Sequence, residues 1–350
     1  MTRRTLTRSL TTALVLAVLL SVPRVASATF SIIAYDPATH EFGVAVQSHA
    51  FGAGAAVPYA IPGIGAVATQ AAANRLYGPK AIELLKQGLS PADVVKRLTD
   101  EDPGRDTRQV AVIDANGRSA VYTGKRVIDR DADPKDPIHF GDYAGHITGT
   151  NFSVQGNTLA SKQVLENMAN AYAHGTGSMA ERLMAALDAG QSAGGDSRGM
   201  QSGGILVVRP VAPGSNATVE RIVDIRVDDT IDPFKELHRL LDITLGVPRK
   251  LTDESAAQAK AGRFDEAIAT ARKALAIEPN SDTLHYALAQ RYAQANRPLM
   301  ALVPLREAIR LHPHLAREAL VDPIFASMRD LGEFKRLVEL ATTTPGGGLK

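Results

Sequence analysis

The chain has 350 residues, 45% of them hydrophobic and 22% charged, which suits a soluble globular protein with room for one large domain and a smaller one. Its formal charge is +2, but four of its 39 basic residues (Arg3, Arg4, Arg8 and Arg24) lie in a leader expected to be removed, leaving 35 against 37 acidic residues, or −2. A near-neutral chain with 5% aromatics and no tryptophan gives no support to nucleic-acid binding, and the absence of cysteine excludes thiol catalysis, disulfides and a lipoprotein anchor.

Residues 1–28 carry arginines, then the apolar run Ala13 to Val22, then Ala26-Ser27-Ala28, the small-x-small form that signal peptidase reads. A membrane anchor needs about 20 apolar residues. This run is too short and ends at Pro23-Arg24, so the expectation is a cleaved signal and a periplasmic or secreted protein with no membrane association afterwards. Thr2-Arg3-Arg4-Thr5-Leu6 loosely matches a twin-arginine signal, and the export route stays open.

Thr29 to Asp36 and Glu41 to Gln47 read as a β-hairpin, with a third strand at Ile64 to Ala71 after the small, glycine-spotted loop Phe51 to Gly63. Helices follow at Pro79 to Gln87 and Ala92 to Leu98, and a second hairpin runs from Gln109 to Thr123 across Ala115-Asn116-Gly117-Arg118. The charged stretch Lys125 to Asp136 reads as a solvated loop. An extended segment from Ala144 to Gln155 leads through a Gly156-Asn157 turn into two helices marked by Val164, Leu165, Met168 and Tyr172, and by Leu183, Met184 and Leu187. Strands return at Gly204 to Arg209 and Glu220 to Val227, and a helix at Phe234 to Leu245 closes the domain, taken as 29–248. Helices grouped between runs of strands imply an α+β fold of stacked antiparallel sheets.

Past Pro248 the composition turns to alanine-rich helix. Ala261-Gly262-Arg263-Phe264-Asp265-Glu266-Ala267 recurs 34 residues later as Ala295-Asn296-Arg297-Pro298-Leu299-Met300-Ala301, with Ala274 matching Ala308 and Pro279 matching Pro313. This all-α segment at 250–340 resembles a short tetratricopeptide array, ahead of a tail at 341–350 expected to be disordered.

Cleavage after Ala28 would leave a threonine bearing both a hydroxyl and a free α-amine at the start of a strand, a nucleophile carrying its own base. With a reference pKa of ~7.7 against ~10.4 for lysine, obtaining the neutral amine near pH 7 costs roughly 3.7 kcal/mol less. Read only as structure, Thr29 is the first β-branched residue of an edge strand.

Thr29-Phe30-Ser31-Ile32-Ile33-Ala34-Tyr35-Asp36-Pro37, Gly43-Val44-Ala45-Val46-Gln47-Ser48, Gly65-Ala66-Val67-Ala68-Thr69-Gln70, Gly156-Asn157 and Ala193-Gly194-Gly195-Asp196-Ser197-Arg198-Gly199-Met200-Gln201-Ser202 resemble a bacterial and archaeal family of unknown function placed among the N-terminal nucleophile (Ntn) hydrolases. The resemblance spans roughly residues 29–250. It implies a four-layer αββα sandwich and amide-bond chemistry that uses no metal and no cofactor.

Such a site needs donors for an oxyanion. Asn157 and His49 are the candidate oxyanion or orienting groups beside Thr29, with strand-end or turn capping as the alternative for each. Gln47 and Gln70, at strand ends, are candidate substrate-binding amides. Asp196 and Arg198 either clamp an amino-acid-like substrate or pair with each other as a buried structural pair. Gly190-Gln191-Ser192-Ala193-Gly194 fits a serine-hydrolase elbow but lacks the strand before and helix after that such an elbow requires. The expected activity is cleavage of a small amide or peptide-like bond. The alternative is a non-catalytic Ntn-shaped scaffold presenting the repeats to an envelope protein. A homo-oligomer stays open.

Overall fold

The computed structural model describes residues 29–132, 143–210 and 220–343. The expected leader lies outside the described residues, as does the tail from residue 344, whereas residues 341–343 finish the helix Gly332–Thr343. Contacts divide the chain into two units that meet between Pro233 and Phe234, ahead of the composition change near 250.

The first unit is built on two antiparallel sheets. The larger has six strands in the order β10-β9-β2-β1-β8-β7, where β1 is Thr29–Asp36, β2 Glu41–Ser48, β7 Tyr143–Gly149, β8 Phe152–Leu159, β9 Ser202–Arg209 and β10 Glu220–Val227. The smaller has four, β3-β4-β5-β6, with β3 Pro58–Ile61, β4 Gly65–Ala71, β5 Arg108–Asp114 and β6 Ser119–Thr123. Thus β1 is not an edge strand, because it pairs with β2 on one side and β8 on the other. Helices Gln163–His174 and Met179–Ser192 pack on the large sheet, helices Tyr77–Lys86 and Pro91–Asp100 pack on the small one, and the two sheets face each other. The unit is α+β with antiparallel sheets, and the second unit is helical.

Strand alternation explains the layers. On the small sheet, Val67, Val110 and Val112 turn outward onto Tyr77, Ala81, Val94 and Leu98. Their neighbours Ala66, Ala68, Ala111 and Ile113 turn inward against Ile33, Tyr35, Val44, Val46, Leu206 and Val208 of the large sheet. Short inward alanines on one sheet facing branched residues on the other let the sheets approach closely.

Three local readings change. The segment Phe51 to Gly63 is not all loop: it holds the helical turn Ala53–Ala56 and the edge strand β3, which tolerates Pro58 at its start because an edge leaves that nitrogen without a ladder partner. A Cβ on Gly54 would stand 2.5 Å from the Gly203 carbonyl oxygen, so only glycine lets this turn lie against β9. The stretch from Lys125 is a helix to Ala132, anchored by the fully buried Val127 and opened by Gly124, whose carbonyl accepts from the Val127 and Ile128 amides. Asn157 lies inside β8 directly opposite Thr29, not in a turn, because β8 continues to Leu159.

In the second unit, helices Pro233–Thr244, Val247–Lys260, Phe264–Ile277, Asp282–Gln294, Pro298–Leu311, Leu315–Val321 and Gly332–Thr343 surround a core that includes Ile268, Leu288, Leu305, Phe325 and Phe334.

Candidate active site

The inter-sheet layer changes character along its length. At one end it is the apolar core just described. At the other, the same inward rows continue as polar residues: Ser31 and Thr29 follow Ile33 on β1, Ser48 follows Val46 on β2, Gln70 follows Ala68 on β4, and Gln109 precedes Ala111 on β5. β8 contributes Gln155 and Asn157, the register partners of Ser31 and Thr29. All of these side chains are at most 2% exposed.

Burying so many polar groups is tolerable only if they satisfy one another. Gln109 sets the direction of the network. Its Nε2 donates to the Gly156 carbonyl at 3.0 Å, the Gly145 carbonyl at 3.2 Å and Thr123 Oγ1 at 2.9 Å. Carbonyls only accept, so the other end of the amide is the oxygen, and it receives Gln70 Nε2 at 2.7 Å and Asn157 Nδ2 at 3.1 Å. Gln70 Nε2 also reaches the Thr29 carbonyl at 3.2 Å and the Gln155 carbonyl at 3.3 Å, while its Oε1 accepts from Ser31 Oγ at 2.6 Å. Ser31 in turn accepts from Gln155 Nε2 at 2.6 Å.

Thr29 stands in this layer, 2% exposed, with Oγ1 3.0 Å from Ser48 Oγ and its carbonyl also 3.5 Å from Asn157 Nδ2. The sequence-level candidates therefore separate into two groups. Thr29, Asn157 and Gln70 converge. Gln70 is not open to a substrate, because both ends of its amide are engaged inside the layer. Asn157 points its donor at Thr29 and Gln109 and leaves Oδ1, an acceptor, buried and without a partner. An oxyanion needs donors, so the expected oxyanion role does not fit this orientation.

Gln47, His49, Asp196 and Arg198 form the second group. Gln47 is the register partner of Phe30, so it points to the opposite face from Thr29 and donates to the Gly199 carbonyl at 3.4 Å. The His49 amide donates to Asp196 Oδ2 at 2.9 Å, and the His49 ring lies 3.3 Å from the Met200 carbonyl. Asp196 and Arg198 are bonded to each other, with Arg198 Nε 3.2 Å from Oδ1 and an outer guanidinium nitrogen 2.9 Å from Oδ2. Their side chains are 0% and 8% exposed, so the buried-pair alternative describes them better than a clamp. Together they fasten the loop 196–200 to the end of β2, beside Ser48.

The site is held from the small-sheet side by a second knot. Asp102 accepts from the Tyr77 hydroxyl at 2.8 Å, Arg108 Nε at 3.1 Å, Asn74 Nδ2 at 3.2 Å and the Gly104 amide at 2.7 Å. Burial alone would raise the Asp102 carboxyl, but these donors outweigh it and hold the pKa at about 2. Burial, reinforced by the bond to Asp102, pushes the Tyr77 hydroxyl up. Arg108 precedes Gln109, so the knot fixes the start of β5.

Ser192 ends the helix Met179–Ser192 and donates to the Asp188 carbonyl at 2.8 Å, with no strand before it. Gln109, Ser31 and Gln155 escaped the sequence reading. The signal that finds them is strand parity, since each shares its inward row with core alanine, isoleucine or serine positions.

A family of unknown function (DUF1028) matches residues 29–237. The chain belongs to that family. The match opens on Thr29, the residue that begins β1. A crystal structure of a Silicibacter pomeroyi protein of the same family superposes with a TM-score of 0.52 at 30% sequence identity, covering 61% of this chain and 85% of that one. No curated protein matches the chain.

Proposed function

We propose that this member of the family is an exported Ntn-type hydrolase, released to the periplasm or the medium, in which Thr29 becomes the N-terminal nucleophile. The observation that carries the reading is the coincidence at Thr29 of three boundaries: the end of a signal-like leader, the first residue of the family match, and the start of a central strand at the polar end of the inter-sheet layer. Helices outside two face-to-face antiparallel sheets agree with the αββα sandwich of such enzymes.

The chemistry follows from the terminus. The freed α-amine takes the proton of Thr29 Oγ1 as that oxygen attacks the carbonyl carbon of a small amide or peptide-like substrate. The amine then protonates the leaving nitrogen as the C–N bond breaks, leaving an acyl ester on Thr29. Water, deprotonated by the same amine, hydrolyses the ester, releases the acid and restores the hydroxyl. The reaction calls for no metal or cofactor. Ser48, 3.0 Å away, holds Oγ1 in one direction, and the β-methyl of threonine narrows its rotamers.

The second unit reads as a tetratricopeptide-like module. Helix Phe264–Ile277 recurs 34 residues later as Pro298–Leu311, and the paired positions Ala267 and Ala301, Ile268 and Leu302, and Ala274 and Ala308 are all buried. A groove of about 600 Å³ lined by Leu275, Leu288, Tyr292, Met300 and Val303 favours a second reading, in which the chain is a scaffold that docks a protein partner there.

The experiment is N-terminal sequencing and intact mass of the protein exported by its native host, followed by a screen of small amides and acylated amino acids against the wild type and Thr29→Ala. A chain that starts at Thr29 and loses all turnover in the variant supports the enzyme. A different or blocked terminus, or turnover that survives in Thr29→Ala, ends it. Deletion of residues 250–350 that abolishes function while Thr29→Ala does not would establish the scaffold.

A further inference from the structure

We propose that Asn157 is the acceptor that holds the α-ammonium of Thr29 once the leader is gone, making it a positioning residue for the nucleophile's own base. The inference rests on the reading that Thr29 becomes the first residue.

The argument starts from the direction of the buried amides. Gln109 Nε2 is fixed by two backbone carbonyls, so Gln109 Oε1 must face Gln70 and Asn157. That forces Asn157 Nδ2 toward Gln109, because the flipped amide would set its oxygen against Gln109 Oε1 and the Thr29 carbonyl. Asn157 Oδ1 is thereby left as an acceptor, 0% exposed at the residue level and without a partner. A buried acceptor left unmade costs about 1–3 kcal/mol. Folded proteins seldom leave such a group empty without a use for it.

A suitable donor is created by processing. In the uncut chain the Thr29 nitrogen is a peptide amide with one hydrogen. After cleavage it is an ammonium with three, so two new donors arise on the residue directly opposite Asn157 in the β1–β8 register. Directly opposed residues have Cβ atoms about 5 Å apart. The Asn157 side chain already reaches the backbone of Thr29, with Nδ2 3.5 Å from its carbonyl, so under this proposal the new donors turn to Oδ1 and the amine stays beside Oγ1, which it must deprotonate. The surrounding side chains, Ser48 on β2, Gln70 on β4 and Gln109 on β5, are all neutral. The charged or titratable groups on the elements around them are His146 on β7, the register partner of Gln155, Arg108 next to Gln109, which is paired with Asp102, and, beyond Ser48, His49 and the Asp196–Arg198 pair.

An acceptor favours the protonated form of an amine, so removing it lowers the amine pKa. The test is titration of the α-amine in exported protein that begins at Thr29, followed by the ¹⁵N shift of labelled threonine, in the wild type, Asn157→Leu and Asn157→Asp. The leucine variant is expected to titrate about one unit lower. The aspartate variant keeps an acceptor facing Thr29, adds charge and covers the case in which the leucine variant does not fold. It is expected to titrate higher. A folded leucine variant with an unmoved amine overturns the assignment, as does an unmoved or lowered amine in the aspartate variant. A shifted amine in a protein with no turnover would sink the hydrolase reading and leave Asn157 as the acceptor. An unshifted amine in an active enzyme would do the reverse.

Discussion

Gln70 Nε2 donates to Gln109 Oε1 across neighbouring strands of the small sheet, and the same nitrogen reaches the carbonyl of Thr29 at 3.2 Å, so the small sheet grips the backbone of Thr29 on the large sheet. Replacing Gln109 by leucine removes the acceptor for both Gln70 and Asn157 and the donor for two buried carbonyls. Gln109→Leu is expected to lower the unfolding free energy by about 3 kcal/mol or more, the scale for several buried groups left unpaired, as read by urea denaturation. A loss below about 1 kcal/mol would show that the network relaxes around the gap.

Ser48→Ala removes the hydroxyl 3.0 Å from Thr29 Oγ1. Its expected stability cost is about 1 kcal/mol. Under the hydrolase reading the attacking oxygen loses its fixed direction, so kcat should fall by up to about 100-fold with KM nearly unchanged. A rise in KM alone would make Ser48 a substrate contact.

Gly54→Ala sets a methyl group 2.5 Å from the Gly203 carbonyl oxygen, and neither backbone can yield without moving the turn off β9. The expected loss is about 2–3 kcal/mol in a thermal or urea melt. An unchanged melt would mean that the helical turn at Ala53–Ala56 lifts freely.

Asp102 supplies a pH dependence. Its folded pKa of about 2 lies below the ordinary carboxylate value, so its contribution is fully present above about pH 4 and disappears as pH falls toward 2. Asp102→Asn should therefore cost about 2 kcal/mol at neutral pH, with the two stability curves converging between pH 4 and pH 2. Curves that stay parallel over that window would place the effect elsewhere.

Much of the large-sheet hairpin and the central hairpin could be read from alternation and turn residues, because both signals are local. Asp36-Pro37 and Asn116-Gly117 mark turns whatever lies around them. The site was harder. Gln47 and Gln70 look equivalent as amides near strand ends, yet Gln47 pairs with Phe30 and faces away, whereas Gln70 shares the inward row of Ala66 and Ala68. Only the register across strands separates them, and register is set by pairings far apart in the chain. Gln109 was invisible for the same reason: its partners at Gly145, Gly156 and Asn157 are 36 to 48 residues away. The helix from Lys125 was hidden by its own charges, since one buried valine is too small a signal against a run of Lys, Arg and Asp.

The position of β1 in the six-stranded sheet sets a timetable for folding. β1 meets β2 across a short turn as soon as both are made, but its other edge is completed only by β8, and Thr29 and Asn157 are 128 residues apart. Until β8 has joined it, the middle of the sheet is an open, hydrogen-bond-hungry edge. Long-range pairings of this kind form slowly, and chains stopped before residue 152 would carry that edge permanently. Such truncations should pass into aggregates rather than partly folded monomers, and the protein's vulnerable period lasts until β8 has paired with β1.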